Sequence, residues 1–187
     1  MLESVACPPL DMIHTIAFDF DGVFTDNTVW VDEDGRESVR CDRADGLAID
    51  MLRAAQRKGL LQADFFIVSS EHNPVVSARA KKLGLCCHQG VGDKLDFVRR
   101  LLVRRFPENQ APLSGLVYLG NDVNDLSLMQ SAGFAVAPSD AHPSVQEIAD
   151  LVFDRRGGSG FVRAFVERML DFDRLAPEGI DEYVSDS

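Results

Sequence analysis

Ile13-His14-Thr15-Ile16-Ala17-Phe18-Asp19-Phe20-Asp21-Gly22-Val23-Phe24-Thr25-Asp26 runs from an apolar stretch into two aspartates and a glycine. Ile13 to Phe20 reads as a strand, entered from the loose Pro8-Pro9 stretch, and Gly22 lets the chain turn sharply behind it. Two carboxylates one residue apart at a strand end do little for folding, because buried charges are costly unless paired or bound to metal. A capped loop with two solvated aspartates is the structural alternative.

Outward from that strand, apolar runs alternate with helical patterns. Asp45 to Arg57 reads as a helix with Leu47, Met51, Leu52 and Ala55 on one face. Phe65 to Ser69 is a second strand. Asn73-Pro74 supplies a cap and a first-turn proline for a helix that Gly84 stops. Leu85 to His88 is a third strand, then a helix from Asp93 to about Arg105. Strand Gly115 to Leu119, helix Asp125 to Ser131 and strand Phe134 to Ala137 follow, then helix Pro143 to Ala149 and strand Leu151 to Phe153. Phe161, Phe165, Met169 and Phe172 mark a last helix. This alternation predicts an α/β fold with a mainly parallel sheet and helices on both faces. One domain over 1–187 is expected, with its core at about 13–170 and a loosely held acidic tail at about 171–187. In such folds ligands sit beyond the carboxyl ends of the strands, where the strand order switches.

Thr28 to Cys41 breaks the alternation. It reads as a hairpin around Asp34-Gly35, and its arm Val29-Trp30-Val31 is apolar on both faces. A lone two-stranded hairpin is marginal in water, so the same domain or another subunit must cover it.

The formal net charge of -11 excludes a general attraction for nucleic acid or an anionic membrane. There is no signal-peptide pattern and no apolar run long enough to cross a bilayer, so a cytoplasmic protein is expected. Cys7, Cys41, Cys86 and Cys87 form no CxxC pair and are expected to be reduced, mostly buried thiols. Cys86-Cys87-His88 cannot easily converge on one ion and reads as a short buried strand.

Four polar clusters fall at strand ends: Asp19 to Asp26, Ser69-Ser70, Lys94 behind Asp93, and Gly120-Asn121-Asp122-Val123-Asn124-Asp125. Taken singly, the serines suit a turn, the lysine a solvated helix start and the last cluster a helix cap. A cation at a helix start opposes the dipole, however, which hints at an anion near Lys94.

Together and in this order the clusters resemble the motifs of the haloacid dehalogenase superfamily, over the span from Ile13 to Leu170. The resemblance implies a three-layer Rossmann-like fold and a magnesium-dependent phosphatase. Asp19 would be the nucleophile, and Asp21 the acid and then the base. Ser69, Ser70 and Lys94 would hold phosphate oxygens. Mg²⁺ would be bound by Asp19, Asp21 and either Asn121 or Asp122, with Asn124 and Asp125 in support. A carboxylate repels a phosphate dianion, so such an attack needs a metal and a cation.

The closer resemblance is to the branch of 3-deoxy-octulosonate 8-phosphate phosphatases and N-acylneuraminate 9-phosphate phosphatases. The matching stretches include Arg43-Ala44-Asp45-Gly46, Ser70 to Val76, Gly90 to Lys94, Ala141-His142-Pro143 and Arg156-Gly157-Gly158. That branch implies no cap domain, a homotetramer whose hairpins help close neighbouring sites, and a phosphorylated sugar acid as substrate. The nonulosonate 9-phosphate comes first and the octulosonate 8-phosphate second. Glu71 and Arg79 match positions associated with the sugar acid. Taken alone, Glu71 suits a helix entry and Arg79 a solvated surface. Asn121 stands where the first aspartate of the fourth motif is usual, and Ala164 follows Arg163 where relatives often have glutamate. Asn121 leaves open a rival reading, a weakly active or inactive oligomerisation module like the C-terminal domain of some N-acylneuraminate cytidylyltransferases.

Overall fold

A computed structural model of the chain describes residues 5–184, and β1, Thr15–Phe18, lies at the centre of its main sheet. The other strands of that sheet are β4 (Asp64–Val68), β5 (Cys86–His88), β6 (Leu116–Leu119), β7 (Phe134–Ala137) and β8 (Leu151–Val152). Their order is β5-β4-β1-β6-β7-β8, and every pairing is parallel. The chain leaves β1 first toward β4 and β5, then crosses back to β6, so the switch in strand order lies beside β1 and the crevice there opens at Asp19.

The helices are α1 (Arg43–Arg57), α2 (Pro74–Leu83), α3 (Lys94–Arg105), α4 (Leu126–Ser131), α5 (Pro143–Ile148), α6 (Phe161–Met169) and α7 (Pro177–Val184). They form two layers because the strands alternate. Ile16, Phe18, Val117 and Leu119 pack with α1, α2 and α6, whereas Ala17, Tyr118 and Ala135 pack with α3, α4 and α5. Local chemistry sets the helix ends as the sequence suggests. Asn73 accepts from the Val75 amide with Pro74 behind it, Asp93 accepts from the Asp96 amide, and Gly84 ends α2 in a left-handed conformation. The buried face of α1 also carries Asp45, Ala48, Ile49 and Ala54, while Leu47 is only half-buried.

The hairpin pairs β2 (Trp30–Val31) with β3 (Glu37–Ser38), antiparallel. Val29, Trp30 and Val31 are 51%, 59% and 60% exposed, so the described part of the chain covers neither face. Two expectations need correction. The segment after Asp171 is held through residue 184, because α7 packs on α1, and Tyr183 is buried against the Phe172 ring and beneath the Lys58 ammonium. Residues 185–187 lie outside the described residues. None of the four free cysteines is fully buried: Cys7, Cys41 and Cys87 are half-buried, and Cys86 is exposed because β5 is an edge strand with no neighbour on one side. Among the described residues, no helix is long and apolar enough to cross a membrane.

Candidate active site

Three strand ends converge on Asp19. The loop behind β1 is wound tightly, with the Val23, Phe24 and Thr25 amides all donating to the Phe20 carbonyl. Gly22 sits at φ +76°, and a Cβ there would lie 1.9 Å from Asn121 Nδ2, so both the turn and the contact between two motifs require glycine. The Arg156-Gly157-Gly158 stretch braces the loop from behind. The Gly158 amide donates to the Val23 carbonyl, and a Cβ on Gly157 would meet the Gly22 carbonyl oxygen at 1.9 Å.

Beneath the loop lies a buried charge network. Lys94 Nζ is 2.9 Å from Asp19 Oδ1 and 2.7 Å from Asp125 Oδ1. The Tyr118 hydroxyl donates to Asp125 Oδ1 at 2.6 Å, and Asp125 Oδ2 accepts from the Asn121 amide at 2.9 Å and the Asp122 amide at 3.3 Å. Asp19, Lys94, Tyr118 and Asp125 are all at most 4% exposed. Asp125 thus fixes both the ammonium and the start of the Asn121 loop. The anions that offset the helix-start lysine are Asp19 and Asp125.

Electrostatics follow from this burial. Burial first, and Asp125 second, push the Asp19 carboxyl up to about 8 against the pull of Lys94. Burial pulls Lys94 down, but Asp19 and Asp125 outweigh it and hold its pKa above the ordinary lysine value. Burial, then Asp125, drives the Tyr118 phenol well upward, so it stays a donor. Asp21 is half-buried, and its carboxyl is raised by burial first and by Glu71 next, against the Lys94 ammonium. A raised carboxyl is what a proton donor near neutral pH needs.

One ammonium faces two buried carboxyl groups, so ionising both at the floor calls for a second positive charge. The residues suit a hard divalent cation. Asn121 is 5% exposed, and its Oδ1 has no hydrogen-bond partner. Asp19 uses Oδ1 for both Lys94 and the Phe20 amide. Asp122 Oδ1 accepts from the Val123 amide and caps the next turn. A cation touching Asp19 would reverse the upward push on that carboxyl.

Above the floor is a cleft of about 380 Å³. It is lined by Asp19, Asp21, Ser69, Ser70, Glu71, Asn121, Asp122 and Asn124 of the residues singled out from sequence. Ser69 is buried and its Oγ accepts from the Glu71 amide, while Ser70 Oγ accepts from Asn124 Nδ2 at 3.1 Å and ties two motifs together. Lys94 lies beneath the cleft rather than on its wall. Arg79 is not brought to the cleft of its own chain: its guanidinium donates to the Asp42 carbonyl at 3.1 Å and packs beside Gly46. The reason is geometric, since Arg79 on α2 faces α1. Sequence reasoning missed Tyr118, and it missed Asn27, Val29, Glu37, Asn73 and Val123, which also line the cleft. Tyr118 carried a signal, as the one polar side chain in an apolar strand and therefore in need of a partner.

The family described as haloacid dehalogenase-like hydrolase matches residues 94–165. Over 175 residues the chain is 31% identical to the 3-deoxy-D-manno-octulosonate 8-phosphate phosphatase of Salmonella typhi, covering 91% of this chain and 84% of that protein. The chain belongs to the haloacid dehalogenase-like hydrolases. Within them it falls in a capless branch resembling the octulosonate phosphatases, and it is a phosphoric monoester hydrolase. A hydrolase of this superfamily from Streptomyces avermitilis superposes with a TM-score of 0.82 at 35% identity, covering 95% of this chain and 97% of that one. The octulosonate 8-phosphate phosphatase of Moraxella catarrhalis, solved with magnesium, phosphate and its sugar acid, gives 0.76 at 26% identity, with 87% and 88% covered. In this haloacid dehalogenase-like hydrolase, the six-stranded parallel sheet flanked by helices is the fold shared with those neighbours.

Proposed function

We propose that this hydrolase is a magnesium-dependent phosphatase acting on a phosphorylated sugar acid through an aspartyl phosphate. The observation that carries the reading is the buried Asp19–Lys94–Asp125 network, with two carboxyl groups to one ammonium, beside the unpartnered Oδ1 of Asn121. Asp19 attacks phosphorus and forms an acyl phosphate while the bond from phosphorus to the substrate oxygen breaks. Asp21 gives its proton to the departing alkoxide, which leaves as the alcohol. Asp21, now ionised, takes a proton from water, whose oxygen attacks phosphorus, and Asp19 and inorganic phosphate are released. Lys94 holds Asp19 in place and lowers the cost of its charge. The Ser69 hydroxyl and the Ser70 side chain hold phosphoryl oxygens. Asp19, the Asp21 main chain and Asn121 would hold Mg²⁺, with Asn124 and Asp125 supporting their loop. When bound, that ion supplies positive charge to offset the repulsion between carboxylate and phosphate.

For the substrate, the stretch from Ser70 to Val76 and the pair Asn121-Asp122 favour a nonulosonate 9-phosphate. The octulosonate 8-phosphate comes second, supported by the activity of the curated relatives. The apolar, uncovered Val29-Trp30-Val31 arm supports assembly into a homotetramer through the hairpins. The deciding experiment measures phosphate release from both sugar acid phosphates and from p-nitrophenyl phosphate, with Mg²⁺ and with excess chelator. Turnover of a sugar acid phosphate that needs the metal is expected. Hydrolysis of the aryl ester alone, or turnover unaffected by the chelator, would refute the substrate or the metal part respectively.

A further inference from the structure

The hairpin reaches the cleft of its own chain. Glu37, on β3, lines it opposite the floor carboxylates, and its side chain accepts a hydrogen bond from Asn73 Nδ2. Asn73 is itself fixed, because its Oδ1 caps α2 through the Val75 amide at 2.9 Å and its carbonyl accepts from Gln89 Nε2 at 2.7 Å. Glu37 is exposed, and this fixed partner ties it to the cleft lining. A carboxylate offers about four acceptor sites and Asn73 occupies one, so acceptor capacity remains for a further donor.

The lining narrows what that can be. Among the described residues around the cleft there is no lysine, arginine or histidine, and Lys94 is buried beneath it with two carboxylates of its own. A second anionic group of the substrate inside this cleft would meet Glu37 and Glu71, whereas Arg36 and His72 line the adjoining cavity on the other side of Glu37, Glu71 and Asn73. Hydroxyl groups suit this wall, since they can donate to the carboxylates and accept from the amide of Asn73. Val29 and Val123, each more than half exposed beside the cleft, offer apolar surface to the C–H faces of such a chain.

We infer that Glu37 is a specificity-determining residue that accepts hydrogen bonds from an uncharged polyol chain next to the phosphate, the carboxylate of the substrate remaining outside this cleft. This deepens the proposed function and rests on it, because both sugar acids considered carry their phosphate at the end of a polyol tail. The test compares wild type, Glu37→Ala and Glu37→Gln on the nonulosonate 9-phosphate, the octulosonate 8-phosphate and p-nitrophenyl phosphate, which has no hydroxyls. Circular dichroism and melting curves check each fold. Loss of hydrogen bonds to a charged acceptor predicts that Glu37→Ala lowers kcat/KM for the polyol esters about ten- to a hundredfold more than for the aryl ester, mainly through KM. Glu37→Gln keeps an acceptor oxygen and recovers part of the difference. Equal losses on all three esters in both variants overturn the role of Glu37 and leave the proposed function standing. A wild type that hydrolyses only the aryl ester overturns the proposed function, and the role of Glu37 with it.

Discussion

Asp45 offers a measurable test of how burial sets charge in this fold. It stands in the first turn of α1, is fully buried, and accepts from the Arg163 amide at 3.0 Å, so it caps α6 from the neighbouring helix. Backbone donors at a helix N-terminus favour a carboxylate, but desolvation disfavours it more, and the carboxyl is raised from 3.8 to about 6. A raised folded-state value means that stability from this group is fully present below the unfolded value and is lost as pH rises through about 6. At about 1.4 kcal/mol per pH unit between those values, the full loss is ~3 kcal/mol. About two-thirds of it falls between pH 4.5 and 7. Asp45→Asn keeps an oxygen for the Arg163 amide but cannot ionise. Urea unfolding of both proteins at pH 4.5, 5.5 and 7 should show the variant gaining ~2 kcal/mol on wild type across that range. The slope is the test, since any constant offset reflects the cap itself. A difference that stays flat, or that shifts toward wild type as pH rises, would refute the claim that burial dominates at Asp45.

Four further outcomes are expected. Asp19→Asn should lower turnover of any phosphate ester by about a thousandfold or more while leaving the melting temperature near wild type, as read by phosphate release and calorimetry. Asn121→Asp adds a full charge beside Asp19, so titration calorimetry should show about tenfold tighter Mg²⁺ binding; unchanged or weaker affinity would remove Asn121 from the ligand set. Tyr118→Phe takes a donor from the buried Asp125 and should destabilise the fold by about 1–3 kcal/mol in denaturant titration, with a lower kcat. Replacing Trp30 and Val31 with polar residues should give smaller species by light scattering, and a wild type already monomeric at micromolar concentration would sink the tetramer.

Local features were legible because local chemistry specifies them. The Asn73 and Asp93 caps and the Gly84 stop stand where their residue types predicted, since each acts within one turn of its own helix. Phe134–Ala137 matched its expected strand, being a short apolar run bounded by glycine and proline. The tail was misread because its acidic composition hid a further helix, α7, which packs on α1 and buries Tyr183.

From sequence alone came the strand–helix alternation, the placement of four polar clusters at strand ends and the motif order that marks the family. The first two depend on periodicity and residue type along the chain, and the last on the resemblance of the clusters to known motifs. Only the tertiary structure decided which side chains meet. It placed Lys94 under Asp19 and Asp125, and brought the Tyr118 hydroxyl to the same carboxylate. It also turned Arg79 toward Asp42 and set Asp45 against an amide 118 residues away. It brought the hairpin, too, to the cleft of its own chain, through the contact between Glu37 and Asn73. Each of these rests on the order of strands in the sheet and on the face each side chain occupies. The charge states rest further on how much water the packed layers exclude, which the linear chain does not encode residue by residue.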